Sequence, residues 1–223
     1  GGLCTWFKNS HFGKNLHADA QKWWSVCHET GISVGWLILD DNHHCGGTDV
    51  YLKYGINGLI EKINIRLDAT PSPSQTIELK AMKTGLESLV VIANRFALEA
   101  ENMFLAENEP LIKNRLKMIA KTAKKVPANP PETFYEALCS IIFIREVVQS
   151  LEANGISILG HLDRILFPYY EHDIVAGILT REEAKNLLSY FLSFFDARFG
   201  MKTAPSWHVG TNTTVVIGGC DEN

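Results

Sequence analysis

Apolar residues recur at three- and four-residue spacing through most of the chain and predict a mostly helical protein. Leu16, Ala20, Trp23, Trp24 and Cys27 mark a first helix, which Gly31 can terminate. Ile32 to Leu39 is short, apolar and partly β-branched, and reads as a buried strand. Asp40 to Gly47 is a polar loop. Thr48 or Asp49 then caps a helix with Leu52, Ile56, Leu59, Ile60, Ile63 and Leu67 on one face. Gly55 and Gly58 lie inside it. Each costs about 1 kcal/mol relative to Ala, so close backbone packing is expected there. Ala69 to Gln75 carries two prolines and two serines and reads as a loop.

A long helix is expected from about Thr76 to Glu107, with a stripe of Met82, Leu86, Leu89, Val90, Ala93, Ala97, Ala100 and Phe104. At 1.5 Å per residue it spans nearly 50 Å, on the order of a large protein's dimensions. Asn108-Glu109-Pro110 ends it and opens a helix to about Lys125, since proline is tolerated in a first turn. Val126 to Pro131 cannot be helix, because residues before proline avoid that conformation. Thr133-x-x-Glu136 is a capping box opening a helix through Glu152, which Asn154-Gly155 stops. Phe134, Leu138, Ile141 and Ile142 form its apolar stripe. Thr180-x-x-Glu183 is a second capping box, for a helix to about Arg198. Thr213 to Ile217 is β-branched and reads as a second strand.

Composition narrows the class. The chain has 223 residues, 46% hydrophobic and 21% charged, which excludes a wholly disordered protein. No apolar run approaches the roughly 18 residues of a membrane span. A net charge of -4 gives no sign of a nucleic-acid groove, and the basic stretch Lys117 to Lys125 reads as the wet face of a helix. Five cysteines lie at 4, 27, 45, 139 and 220 without a CxxC, which fits a reducing cytoplasm better than a disulfide framework. Both ends read as interior sequence. The chain is therefore expected to be a piece of something longer, with 1–223 one incomplete domain.

The densest polar cluster is Asp40-Asp41-Asn42-His43-His44-Cys45, with Asp49 beyond it. It follows a predicted strand and precedes a helix, a common setting for sites in α/β proteins. Its residue types suit zinc, but no second pair at ligand spacing accompanies them. A pocket histidine or an ordinary loop remain as readings. Cys220 and Glu222 form G-C-x-E, either a nucleophile or relay or a plain glycine turn after a strand. Cys139, on an apolar helix face, is expected to be a buried structural thiol. His161 and His172 flank the aromatic run Phe167-Pro168-Tyr169-Tyr170, expected to be core. His161 is a possible pocket residue and His172 a solvated or capping one. There is no GxSxG, P-loop or dinucleotide fingerprint.

Several segments, in this order, resemble the glycyl radical enzymes, the pyruvate formate-lyase-like family. Tyr51 to Ile63, with Gly55-Ile-Asn-Gly-Leu59, is similar to the family's LxxGLxGLxxxI helix. Val126-Pro-Ala-Asn-Pro-Pro-Glu-Thr-Phe-Tyr-Glu-Ala-Leu138 resembles VPANPPxTFxEAL. Gly160-His-Leu-Asp-Arg-Ile-Leu-Phe-Pro-Tyr-Tyr-Glu-His-Asp173 resembles GRxDQYLYPYYxxD. Leu179 to Ala184 and Val216 to Asn223 resemble the later LTxEEA and IGGxDxxG segments. Three positions depart: His161 replaces Arg, Arg164 replaces Gln, and Cys139 stands where Gln is usual.

The resemblance implies an α/β fold, the N-terminal part of a ten-stranded α/β barrel, with this portion mostly helical. It implies radical cleavage of a C–O, C–N or C–C bond in a small oxygenated substrate, on the dehydratase, lyase and decarboxylase side of the family. Pyruvate formate-lyase activity, or a non-catalytic partner subunit, are the alternatives. His44 falls near a GH that faces substrate in family members, and Ser157 matches a substrate-facing serine. The radical glycine and thiyl cysteine are expected outside this chain, so it has no catalytic residue of its own and binds no metal. The implied cofactor is a glycyl radical installed by an S-adenosylmethionine-dependent activase. The implied partners are that radical-SAM enzyme, a small-molecule substrate and a second copy in a homodimer, without nucleic acid or membrane.

Overall fold

The computed structural model describes residues 46–152, 158–200 and 214–218, together with Lys22. The expected helix at 16–27 and strand at 32–39 lie outside the described residues, as does the 40–45 loop. The described elements are α1 (Thr48–Asp68), α2 (Pro73–Ala106), α3 (Pro110–Lys125), α4 (Phe134–Glu152), β1 (Ile158–His161), α5 (Leu162–Val175), α6 (Arg181–Gly200) and β2 (Thr214–Val216). None of these helices is long and apolar enough to cross a membrane.

The core forms around α4, which packs against α1, α2, α5 and α6. Phe134, Leu138 and Ile141 of the expected stripe are buried, and Ile142 packs at its edge. Buried Leu52 and Ile56 come from α1, Leu89 from α2, Leu162 and Leu166 from α5, and Phe191 from α6. The stripe of α2 holds at Leu89, Ala93, Ala97 and Ala100, but Met82 is 51% exposed and does not join it. Lys117, Lys121 and Lys124 face solvent, as expected of a wet face.

Helix ends follow the local sequence chemistry. Thr133 Oγ1 accepts from the Glu136 amide at 3.2 Å, while Glu136 Oε2 accepts from the amides of Glu132 and Thr133. Burial alone would raise the Glu136 carboxyl. The Glu132 amide, the Lys125 ammonium and the Thr133 amide outweigh it and hold the group below its ordinary value. The Thr180–Glu183 box forms in the same way. A third box, Ser72 with Gln75, starts α2 at Pro73, three residues before the expected Thr76. Helix α1 also differs from expectation: its cap is Gly47, in a left-handed conformation without a side-chain bond, and Thr48 is already helical.

Helix α1 is two helices joined at Gly55, whose φ of 64° and ψ of 167° interrupt it. The amides that this break frees are satisfied from the α3–α4 connection. Ile56 N donates to Pro127 O and Asn57 N to Ala128 O, both at 2.9 Å. The Asn57 side-chain amide adds a 3.2 Å bond to Asn129 Oδ1. Val126, Pro127 and Ala128 are buried, and the Val126–Pro127 peptide is cis. A Cβ at position 55 would lie 2.7 Å from the Asn129 carbonyl carbon and 2.8 Å from Ala128 O. The expected close packing is therefore present at Gly55, and the proline-rich loop is framework.

Two segments differ from the sequence reading. Residues 158–161 form β1, which pairs in parallel with β2 in the register Ile158 with Thr214, Gly160 with Val215 and His161 with Val216. The aromatic run lies on α5, with Pro168 inside the helix. It is not wholly core: Phe167 is 54% exposed, while Tyr169 and Tyr170 are half-buried. Asp173, at the far end of α5, is buried, and its Oδ2 accepts from Phe134 N at 2.8 Å. That carboxylate caps α4 across the core.

Gly55 and Gly85 should respond in opposite directions to alanine. Gly55→Ala should destabilise by about 1–3 kcal/mol or more, because a Cβ meets backbone and φ is left-handed. Gly85, within α2, has no described residue within 4 Å of its Cβ position. Gly85→Ala should stabilise by about 1 kcal/mol. Urea denaturation of both variants checks the pair.

Candidate active site

In parallel α/β sheets, ligands gather beyond the carboxyl ends of the strands. Here those ends are His161 of β1 and Val216 of β2, adjacent in register. β1 runs straight into α5, and β2 runs into Ile217-Gly218. Asp163 sits in the first turn of α5 and joins the two exits. Its Oδ2 accepts from Gly218 N at 2.7 Å and its Oδ1 from Arg164 N at 2.9 Å. The Gly218 amide foremost, then the Arg164 amide, with lesser help from Asp163's own amide and His161, hold the Asp163 carboxyl below its ordinary value against desolvation. Asp163 is thus an anion at neutral pH and acts as an acceptor, not as an acid. His161 is exposed, lines neither of the clefts described below, and its side chain makes no cap bond to α5.

A cleft of about 880 Å³ lies between α5, α6 and β2, with a floor of Leu162, Leu166, Leu188 and Val215. Arg181, Glu182 and Lys185 stand on its rim. Its floor is apolar, and Asp163 also lines it, so the cleft reaches the strand exits. A smaller cleft of about 370 Å³ separates the start of α1 from α5, between Asp49, Lys53, Pro131 and Tyr169. Tyr169 Oη also donates to Leu52 O at 3.5 Å.

His44 and Ser157 lie outside the described residues. The chain reaches the first through Gly46-Gly47 at the start of α1, and the second directly before Ile158 of β1. Cys220 and Glu222 also lie outside them. Among the described residues, no group of three His, Cys, Asp or Glu side chains could hold a metal ion. His172 is a solvated residue, with Nδ1 3.0 Å from Asp173 Oδ1. Cys139 is half-buried. Burial, with a smaller push from Glu136, raises its thiol to about 11 against the opposing bond with Tyr135. Such a thiol is structural. The sequence reading passed over the roles of Asp163 and Asp173, although both aspartates belong to the segment that carries the resemblance.

The chain belongs to the pyruvate formate lyase-like family, whose model matches residues 5–223. It falls with the glycyl radical enzymes of the dehydratase and lyase branch. It is 28% identical over 190 residues to trans-4-hydroxy-L-proline dehydratase of Clostridioides difficile, covering 82% of this chain and 24% of that protein. It is 33% identical over 147 residues to isethionate sulfite-lyase of Bilophila wadsworthia, covering 63% of this chain and 18% of that one. Among solved structures, hydroxyproline dehydratase from Clostridioides difficile with trans-4-hydroxy-L-proline bound superposes with a TM-score of 0.64 at 29% identity, over 77% of this chain and 23% of that chain. A Roseburia inulinivorans structure of 1,2-propanediol dehydration gives 0.62 at 26%, over 81% and 21%. The chain thus spans about a quarter or less of these relatives' lengths.

Cys139 supplies a test of the local electrostatics. At pH 8 about 0.1% of a thiol with a pKa near 11 is thiolate. Iodoacetamide alkylation at Cys139, followed by peptide mass spectrometry, should be slow at pH 8. Its rate should rise about tenfold per pH unit up to about pH 10. A rate that levels off by about pH 9.5 would place the thiol in an ordinary, solvated setting.

Proposed function

We propose that this chain forms one wall of the substrate chamber in a glycyl radical dehydratase or lyase. In this reading residues 1–223 are part of one domain, a ten-stranded α/β barrel. The whole enzyme cleaves a C–O, C–N or C–C bond of a small oxygenated substrate. The observation that carries the reading is the family match across 5–223, with relatives that are dehydratases and lyases. The glycyl radical, placed by a radical-SAM activase elsewhere in the protein, supplies abstraction of one substrate hydrogen through a cysteine. This chain's own part is to bind and orient. His44 and Ser157 hydrogen-bond substrate oxygens so that a single hydrogen meets the abstracting group. Polar groups on this wall also stabilise charge as a leaving group departs. The intact enzyme works as a cytoplasmic homodimer in this reading.

The test uses the full-length protein, activated anaerobically with a radical-SAM activase. Electron paramagnetic resonance should show a glycine-centred doublet. Activity should then appear on at least one of trans-4-hydroxy-L-proline, 1,2-propanediol or isethionate, or on a small relative of these. His44→Ala should lower kcat/KM about 100-fold, with His43→Ala within about threefold of wild type. Equal, small effects would remove His44 from the site. Absence of the doublet would remove the radical reading altogether.

A further inference from the structure

We propose that Asp163 is a positioning residue that sets the separation of the two strand exits bordering the substrate chamber. The inference deepens the functional reading above and rests on it for its catalytic consequence. Its geometric part stands alone. Asp163 and Gly218 are 55 positions apart, and their 2.7 Å bond joins the exit of β2 to the first turn of α5. α5 begins directly after β1, so the same side chain fixes both exits. The second carboxylate oxygen is bound to the Arg164 amide, which stops the side chain from rotating away from Gly218. Gly218 itself is left-handed, with φ of 81°, and no described residue lies within 4 Å of its Cβ position. The carboxylate gives its amide an acceptor. β2 has three residues and pairs among the described residues with β1, so its exit needs such a tie.

A group at this location changes which substrates fit, through the spacing of backbone and side chains that line the exits. A residue that merely capped α5 would alter stability and leave selectivity untouched. Asn retains one carbonyl acceptor and presents an amide where the second oxygen was, so Asp163→Asn should be milder than Asp163→Ala.

The experiment compares the full-length wild type with Asp163→Ala and Asp163→Asn. Hydrogen exchange by mass spectrometry is read on the peptide spanning 214–218 and on control peptides in α2 and α4. In Asp163→Ala the 214–218 peptide should exchange at least about tenfold faster, with the controls unchanged. In the activated enzyme, the ratio of kcat/KM between two substrates of different size should shift by at least about tenfold. Asp163→Asn should lie between wild type and Asp163→Ala in both readouts. Unchanged exchange at 214–218 would overturn the inference, whatever the activity. Faster exchange with an unaltered substrate ratio would overturn the positioning role and leave Asp163 a structural tie. If wild type carries no radical and turns over nothing, the functional reading falls, and the catalytic half of the inference falls with it. The exchange result still decides the geometric half.

Discussion

The fold depends on two backbone hydrogen bonds, from the amides of Ile56 and Asn57 to the carbonyls of Pro127 and Ala128. A helix interrupted in a buried place leaves amides that must find acceptors. The α3–α4 connection offers them, because prolines at 127, 130 and 131 keep it out of any helix that would use those carbonyls itself. Gly55 makes the approach possible by having no Cβ. The loop so fixed delivers Phe134 into the core at the start of α4. Asp173 then accepts from the Phe134 amide and brings the far end of α5 to the same point. From one contact between α1 and a loop, the positions of α4 and α5 follow, and β1 stands directly before α5.

Much of this was legible in the sequence. Helix periodicity placed α1 to α4 and α6, and two capping boxes marked the starts of α4 and α6. The reading failed where a local rule was overridden. Ser72-x-x-Gln75 is a capping box written with Gln, masked by the prolines around it. Pro168 argues against a helix over 162–175, since it removes one internal bond. It is tolerated on the exposed side of α5, where water can take the freed carbonyl. Four residues with a glycine carry too little pattern to announce β1. Its strand character comes from pairing with β2, more than fifty residues away.

The site was legible to a smaller degree. Residue types and the family resemblance pointed to His44 and Ser157 as binding groups, whereas the geometry brings forward Asp163 and the strand exits. A carboxylate that accepts from a backbone amide 55 residues distant leaves no spacing signal. Its sequence neighbourhood reads as an ordinary acidic first turn of a helix. Asp173 is hidden for the same reason: its partner is the amide of a residue 39 positions earlier. Backbone amides are present at every position, so no pattern of residue types betrays which one a side chain will find.

This division explains how the chain departs from the family pattern without losing the fold. The positions that match and carry the frame are closed in: Gly55 against backbone, Pro127, Phe134, Leu138 and Asp173 in the core. The three that depart lie elsewhere. His161 and Arg164 are exposed beside the strand exits, and Cys139 is half-buried on the flank of α4. An exchange at an exposed position disturbs no packing and costs little stability. The same exchange does alter local charge and reach. Replacing a guanidinium by the imidazole of His161 removes a permanent cation with five donors and substitutes a smaller ring with two nitrogens. Stability therefore constrains the closed positions, while the open ones at the ends of β1 and β2 are free to vary.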